Sequence, residues 1–217
     1  VSESTLAVIS SANTIKGSRN LSWFKKIDKQ QQNLIARISS NGSLPHGRGE
    51  NKLVECATIG KDIHEKKWFA DNKMGGVCNH ETRGHIESDI HRYLFMSSYG
   101  KLKDKSPDLN DIPKGLLPKH KNIKSGHFKD RFKVQLASRP SSTVTCHISK
   151  DGHYYIHYDP SQCRSLTVRE AARIQTFPDN YFFCGPRTQQ YRQVGNAVPP
   201  LLSKQIAEVV LKLLKKI

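Results

Sequence analysis

The sequence has little of the features that define several common protein classes. No apolar run approaches the ~18 residues of a membrane-spanning helix, and no apolar stretch near the N-terminus is typical of a signal peptide. The five cysteines are odd in number and irregularly spaced, which argues against a disulfide framework. The hydrophobic fraction over 217 residues is 36%, below the ~45–50% of ordinary globular domains. We therefore expect one large or two small domains in a reducing, cytoplasmic compartment.

Acidic residues are also scarce. The 19 Asp and Glu stand against 35 Lys and Arg, which gives a formal net charge of +16. Solubility needs only ~2–8 charges, so the surplus favours a polyanionic partner, with nucleic acid the leading candidate and a merely solubilising surface the alternative. The most basic stretch, residues 112–150, holds nine Lys or Arg and one acid. Serines and histidines between them also bind phosphate oxygens, so this stretch is predicted to contact phosphates.

Apolar periodicity predicts an uneven distribution of secondary structure. Spacing near 3.6 residues predicts helical turns over residues 23–38 and 86–99. Alternation of apolar and polar residues predicts strands at 132–136, 143–148 and 154–158, the last two joined by an Asp-Gly turn that favours positive φ. We therefore expect an α+β fold with an irregular, strand-rich small domain and packing helices.

The C-terminal third is more regular. Thr167 and Glu170 have the spacing of a capping box, which predicts a short helix from there to about Gln175. A second helix is predicted to begin at Pro199–Pro200 and to carry a wide apolar stripe. Because such a stripe needs a cover, we expect this helix to pack on a neighbouring domain.

Two segments resemble one family closely. Residues 164–179 (RSLTVREAARIQTFPD) and 190–200 (QYRQVGNAVPP) are similar to the last two conserved blocks of DNA cytosine-5 methyltransferases, in that family's order and at its spacing. The lead-in at residues 156–160 also resembles the family, and residues 79–85 weakly resemble a segment of some target-recognition regions. The close match covers about residues 143–210.

The resemblance implies a reaction whose central residues are absent from this sequence. Members attack C6 of a flipped cytosine with the thiolate of a Pro-Cys dipeptide, use a Glu-Asn-Val segment at the base, and bind S-adenosylmethionine beside a Rossmann-like sheet. None of the ten prolines is followed by cysteine, and Glu50-Asn51 is followed by Lys52. We therefore expect the target-recognition and C-terminal part of such an enzyme. We expect this chain to have no catalytic residue of its own and to be inactive alone. We also expect its last helix to dock on an absent Rossmann-like catalytic domain.

The resemblance also assigns roles to individual residues. The positions beside the implied S-adenosylmethionine pocket, of which this chain supplies one wall, are Asn196, Ala197 and Val198. The positions that organise the small domain and the approach to the pocket are Arg169, Glu170, Arg173, Gln193 and Gly195.

The residues expected to bind DNA are basic and lie mainly in the charged stretch. They are Arg83, Lys129, Arg131, Lys133 and Arg139. The three arginines among them are the candidates for bidentate contacts with guanine. Cys78, with the nearby histidines, fits no standard zinc spacing, so no metal is expected.

The resemblance divides the chain into four segments. These are a polar N-terminal segment (1–50), a target-recognition domain (51–160), a conserved helix with a cofactor-proximal loop (161–198) and a C-terminal helix (199–217). The expected partners are double-stranded DNA and the missing N-terminal catalytic domain or subunit, with no membrane. The start at Val1 favours an excised fragment over the small subunit of a split methyltransferase. A stand-alone DNA-binding module, a remnant that binds nothing, and pairing with a restriction nuclease in a restriction–modification system stay open.

Overall fold

The computed structural model describes residues 16–38, 53–54, 66–71, 73–118 and 131–216. The four segments into which the resemblance divides the chain remain a prediction. The chain packs into two compact units. The first comprises the described parts of Val1–Gly47, Thr82–Ser142 and Asp151–Leu166, and the second those of Arg48–Glu81, Thr143–Lys150 and Thr167–Ile217.

Helices dominate the described part of the chain. The α-helices are α1 (Lys29–Arg37), α2 (Lys66–Phe69), α3 (Glu87–Lys103), α4 (Val168–Ile174), α5 (Arg187–Asn196) and α6 (Pro200–Leu214). Short 3-10 helices occupy Phe24–Lys26, Lys114–Leu116 and Cys146–Ser149. The helices predicted from apolar spacing at residues 23–38 and 86–99 are therefore confirmed as the first 3-10 helix with α1, and as α3.

The first unit is built around α3, most of whose residues are buried. Asp28 caps the N-terminus of α1, where its carboxylate accepts the backbone N–H of Gln31 at 2.8 Å. The buried amide of Gln31 donates to Phe95 O at 2.9 Å and to Ser98 Oγ at 2.8 Å, which fixes α1 against α3. The apolar core around these helices comprises Trp23, Ile27, Ile35, Ile90, Tyr93, Leu94, Phe95, Met96, Ile112, Leu116, Phe132, Val134, Ile156 and Cys163.

The prediction of a strand-rich α+β domain is wrong. In the ranges that the structure describes there are isolated β-bridges but no strand. Residues 132–136 bury alternate side chains only in part, and their pairing with a neighbouring segment consists of one bridge between Val134 and Ile156 and one further bond from Lys133 N–H to His153 O. The N–H of Val134 is bound by Ser106 Oγ at 3.1 Å, and the side chain of Gln135 binds further backbone groups. The side chains of Ser106 and Gln135 thus bind backbone groups that the ladder of a longer strand pair could otherwise use.

The other two predicted strands fail for a related reason. Residues 143–148 run into the 3-10 helix Cys146–Ser149, and residues 154–158 make only single bridges. The turn between them is confirmed, because Gly152 has φ of +75° and a Cβ there would lie 2.7 Å from Ser165 Cβ. The alternation of apolar and polar residues in the sequence therefore does not correspond to a hydrogen-bonded ladder between strands.

The second unit contains α4 and α5. The predicted capping box is confirmed, because Thr167 Oγ1 accepts the N–H of Glu170 at 3.2 Å and the Glu170 carboxylate accepts the N–H of Thr167 at 2.8 Å. The loop predicted between α4 and the last helix is in large part the helix α5. The buried apolar residues of the second unit include Val77, Val144, Ile148, Val168, Ala171, Ala172, Phe177, Phe183, Tyr191 and Val194.

The last helix, α6, begins at Pro200 as predicted, and none of its described residues is buried. Its exposed large apolar side chains are Leu202, Ile206, Val209, Val210, Leu211, Leu213 and Leu214, each 47–61% exposed. The apolar stripe of the sequence is therefore present as an uncovered helix face. Among the described helices none has the length and apolar character needed to cross a membrane.

Candidate nucleic-acid interface and cofactor-proximal segment

A basic cleft of about 570 Å³ lies in the first unit. It is bounded by the end of α3 and by the segment that follows Arg131. Its polar lining includes three cationic side chains and three hydroxyls, those of Lys105, Lys133, Arg139, Ser106, Ser141 and Ser142, and one carboxylate, Asp108, which pairs with Lys105 at 3.1 Å. Such a combination of cations and hydroxyls is the usual donor set for phosphate oxygens.

The buried amide of Gln135 holds one side of this cleft in place. Its Nε2 donates to Tyr154 O at 2.8 Å, and its Oε1 accepts from Ser141 Oγ at 2.8 Å and from the N–H of Ser142 at 3.0 Å. The serines are thereby fixed at the cleft rather than free to rotate away. This role was not predictable from the sequence, since Gln135 occupies a polar position in an apparent strand.

Two of the predicted DNA-binding residues line the cleft together. The ammonium of Lys133 lies 5.2 Å from the centroid of the Tyr154 ring, a cation–π contact that orients it. Arg139 is paired with Asp104, to whose Oδ2 it donates from Nη2 at 3.0 Å and from Nε at 3.3 Å. Asp104 also accepts a short hydrogen bond from Ser138, and these bonds lower the pKa of its carboxyl.

Arg131 is in the first unit but is not among the side chains that line the cleft. It donates to Asp151 at 3.2 Å, and its side chain is 32% exposed. Asp151 lies 3.7 Å from His153 Nε2, and His153 Nδ1 lies 2.7 Å from the hydroxyl of Tyr93. Burial lowers the pKa of His153 and raises that of Tyr93, so both groups are neutral near neutral pH.

The remaining two predicted DNA-binding residues, Arg83 and Lys129, are not among the described residues that line the cleft. Arg83 is only 8% exposed, and its guanidinium carbon would lie 3.4 Å from a Cβ placed on Gly152. A side chain buried in this way packs against the turn at Gly152. Lys129 lies outside the described residues.

Arg169 is the central polar residue of the second unit. It is buried, and its guanidinium donates to Cys78 O at 2.9 Å, Pro178 O at 3.0 Å and Tyr181 O at 2.6 Å. It also reaches Asn79 Oδ1 at 3.4 Å. One side chain thus joins α4 to the segment before α3 and to the loop after α4.

Two neighbours complete this arrangement. Asn79, which has φ of +60°, bonds both backbone groups of Phe183 through its side chain at 3.0 Å. Arg173 and Asp179 form a two-bond pair at 2.8 Å for each bond. Neither Asn79 nor Asp179 was predicted from the sequence as a site residue. A polar residue with positive φ and an acid six residues after an arginine leave no periodic signal in the sequence.

The predicted cofactor-proximal segment follows directly on α5. Asn196 ends the helix, and Asn196 and Val198 are exposed while Ala197 is partly buried. Gly195 is packed so closely that a Cβ would lie 2.4 Å from Cys146 N and from Thr145 C. Gln193 is exposed and donates to Cys184 O at 2.9 Å.

Both ends of this segment are anchored by two residues that the sequence analysis did not single out. The buried amide of Gln175 donates to Val194 O at 3.2 Å and to Val144 O at 3.3 Å. The hydroxyl of Thr176 accepts the N–H of Leu201 at 3.1 Å. Thr176 has φ of +61°, an uncommon conformation for a branched residue.

The exposed residues of this segment have the chemistry of one wall of a site for S-adenosylmethionine. A ligand of that size is held in pockets that cover most of its surface. Exposed Asn196 and Val198 present one amide and one isopropyl group on a backbone that is fixed at both ends. These two groups can form one wall of a cofactor pocket, but they cannot enclose the cofactor. The close approach at Gly195 leaves no room for a side chain, so the segment is held directly on Thr145 and Cys146.

The cysteines within the described ranges differ in exposure. In the described ranges no group of three or more His, Cys, Asp or Glu could hold a metal ion. Cys163 is fully buried, and burial raises the pKa of its thiol, the opposite of what a nucleophile needs. Cys146 and Cys184 are exposed.

A family model described as C-5 cytosine-specific DNA methylase matches residues 16–212. The match covers most of the chain, so this protein belongs to that family, whose enzymes take their methyl group from S-adenosylmethionine.

Individual relatives are type II methyltransferases. M.Bpa9945I of Bacillus paralicheniformis is 53% identical over 135 residues, which are 62% of this chain and 29% of the relative. M1.HphI of Haemophilus parahaemolyticus is 37% identical over 164 residues, 76% of this chain and 39% of the relative. M.AquIB of Picosynechococcus sp. is 32% identical over 151 residues, 64% of this chain and 91% of the relative. The chain thus corresponds to well under half of the first two relatives and to nearly all of the third.

Proposed function

We propose that this chain is the target-recognition and C-terminal part of a DNA cytosine-5 methyltransferase. The observation that carries the proposal is the family match over residues 16–212 in a sequence without any Pro-Cys dipeptide. The complete enzyme transfers methyl from S-adenosylmethionine to C5 of a cytosine flipped out of duplex DNA. A separate catalytic part supplies the nucleophile, and this chain supplies DNA contacts and one wall of the cofactor site. Its place is the bacterial cytoplasm, as a modification enzyme of the type II class.

The DNA contacts in this proposal are made by the basic cleft of the first unit. Lys133 and Arg139 line it with three serine hydroxyls. Arg131 adds a partly exposed guanidinium in the same unit. Because Arg83 is buried, its proposed part is to support the turn at Gly152.

The cofactor contacts are made by Asn196, Ala197 and Val198. S-adenosylmethionine, when bound, supplies the methyl group. The amide of Asn196 can donate to or accept from a polar edge of the cofactor, and Val198 offers apolar surface. Gln175, Thr176 and Gly195 hold this backbone in one position, while Arg169, Glu170 and Arg173 order α4, which carries Gln175 at its end.

The partner of the apolar face of α6 is, in this proposal, the catalytic part of the enzyme. A groove along this face is lined by Ser203, Ile206, Ala207, Val210, Leu211 and Leu214. Burying such side chains contributes about 1.5–3 kcal/mol each. A helix with this face uncovered therefore has a strong drive to associate.

A second arrangement is the small subunit of a split methyltransferase. The observation that favours it is the relative M.AquIB, of which the aligned region makes up 91%. A piece of this extent therefore exists as almost the whole of one relative. In that case the catalytic part is a separate polypeptide rather than a preceding domain.

A salt titration tests the DNA-binding part of the proposal. Fluorescence anisotropy with a labelled duplex should show affinity that falls steeply with salt, because each phosphate contact adds about −0.9 to the logarithmic slope. Replacing Lys133 by Gln should reduce that slope by about one. No binding at low salt would eliminate the DNA-binding role and favour a remnant without function.

Complementation tests the catalytic part. The portion of the Bacillus paralicheniformis relative outside the aligned region is combined with this chain, either mixed or fused, and methyl transfer from labelled S-adenosylmethionine to DNA is measured. We expect no transfer by this chain alone and transfer by the combination. Ile206→Glu should abolish transfer, whereas Gln205→Glu, which adds the same charge to the same helix, should not. Transfer by a mixture supports the split subunit, and transfer by the fusion alone supports a part of one chain. Transfer by this chain alone would refute the proposal.

A further inference from the structure

Two cations of the cleft are paired with carboxylates: Lys105 donates to Asp108 at 3.1 Å, and Arg139 is held by Asp104. The side chain of Arg139 is 59% exposed, and its guanidinium is paired along one edge with Asp104, through Nη2 at 3.0 Å and Nε at 3.3 Å. Asp104 is fixed in turn by the hydroxyl of Ser138. A flexible side chain is thereby given one orientation at the rim of the cleft.

The pairing leaves part of the guanidinium available. An arginine has five N–H donors in a planar fork. Asp104 uses the Nε donor and one Nη2 donor. The structure gives the other three no partner in the part of the chain that it describes. Two of them, one on each terminal nitrogen, point the same way, as a bidentate contact requires.

This arrangement suits a base edge better than a phosphate. The Asp104 carboxylate offsets the charge of Arg139, which weakens the long-range attraction to phosphates. It leaves unchanged the two parallel donors that match O6 and N7 of guanine in the major groove. Lys133 shows the contrasting case, since it has no carboxylate within ion-pair distance in the described ranges and has no fork.

The backbone at Asp104 supports the same conclusion. Asp104 follows the last residue of α3 with φ of +49°, in the left-handed region where glycine is the usual residue. Glycine here would relieve the backbone strain, but it would remove both the bond to Ser138 and the pair with Arg139. Asp104 is therefore held in this conformation by two side-chain contacts, which fix its carboxylate beside Arg139.

We propose that Arg139, oriented by Asp104, reads a guanine in the DNA target. Arg139 is the specificity-determining residue, and Asp104 is its positioning residue. This inference rests on the proposed role of the chain in DNA binding and adds the identity of the base and of the residues that recognise it.

The test is selection of DNA from a randomised duplex pool by the complete chain, followed by sequencing. The wild-type chain should enrich sites with a guanine at one fixed position. Arg139→Lys keeps the charge but lacks the fork, so preference at that position should fall about tenfold or more while the salt slope stays the same. On the selected duplex, 7-deazaguanine at that position should weaken binding by the wild type but not by Arg139→Lys.

Asp104 is tested with variants that do not strain the fold. Asp104→Gly fits the left-handed backbone, so loss of base preference in this variant cannot be assigned to misfolding; its overall affinity for DNA should be maintained or increased. The matched control is Asp28→Asn, which removes one negative charge from the same unit and still caps α1. It should leave base preference unchanged.

The outcomes separate this inference from the proposed function. Absence of any binding at low salt would overturn both. Salt-dependent binding without an enriched guanine, or an unchanged guanine preference in Arg139→Lys, would overturn only the role of Arg139. Loss of preference in Arg139→Lys with full preference in Asp104→Gly would overturn the positioning role of Asp104.

Discussion

Substitution of Gly195 by alanine should destabilise the second unit at a place where helices usually gain from that change. The added Cβ would lie 2.4 Å from Cys146 N and Thr145 C and 2.6 Å from Thr145 O, all backbone atoms. Carbon contacts are normally about 3.5 Å or longer, so α5 and the Cys146–Ser149 helix would have to separate by about 1 Å.

The magnitude follows from opposing contributions. Overpacking costs about 1–3 kcal/mol, and alanine in a helix offsets at most about 1 kcal/mol of that relative to glycine. Separation would also lengthen the two bonds from Gln175, which span Val144 and Val194 and contribute about 1 kcal/mol each. The expected net loss in the free energy of unfolding is about 2 kcal/mol.

The assay is urea denaturation combined with hydrogen exchange followed by mass spectrometry. Peptides that cover α5 should exchange faster in Gly195→Ala, while those that cover α3 should not change. Gly17→Ala is the matched control, because its Cβ would meet nothing within 4 Å, and its stability should stay within about 0.5 kcal/mol of wild type. A Gly195→Ala variant as stable as wild type, with unchanged exchange in α5, would refute the packing argument.

Three further predictions concern stability. Thr167→Ala removes the capping box and should cost about 0.5–2 kcal/mol in urea denaturation, whereas Thr167→Ser should be close to wild type; equal losses would contradict the capping role. Arg169→Met leaves the carbonyls of Cys78 and Tyr181 without the guanidinium donor and leaves the Pro178 carbonyl only the N–H of Tyr181, so it should cost at least about 3 kcal/mol; a loss under about 1 kcal/mol would contradict this account. Because burial lowers the folded-state pKa of His153, the unfolded state binds the proton more tightly, so stability should fall as pH drops below about 6.5. His153→Gln should reduce that fall, and an unchanged pH profile would argue against a buried neutral histidine.

The helices were predictable because their signals are local. The capping box at Thr167, the proline at the start of α6 and the 3.6-residue spacing in α3 each act within a few residues. The same is true of the turn at Gly152, where Asp-Gly favours positive φ. The family was also visible in the sequence, since residues 164–179 and 190–200 carry its blocks in order.

The strands were not predictable, because a ladder needs a distant partner. Residues 132–136 have the alternation of a strand, yet Ser106 and Gln135 supply side-chain bonds where a neighbouring strand would be needed. Helix α5 was missed for the opposite reason. Its ten residues from Arg187 are mostly polar, and its formation depends on packing against the Cys146–Ser149 helix rather than on an apolar stripe.

For the candidate site, the sequence by itself determined the residue types and the chemistry. It identified a basic stretch, a family block with Asn196 to Val198, and an apolar last helix. Tertiary structure alone decided which basic residues share a cleft, because Lys133 and Arg139 meet there while Arg83 is buried. It also decided that Asp104 orients Arg139 and that Gln175 and Thr176 hold the segment after α5. Charge and periodicity are properties of the chain, whereas the pairing of side chains 20 to 35 residues apart depends on where the fold brings them.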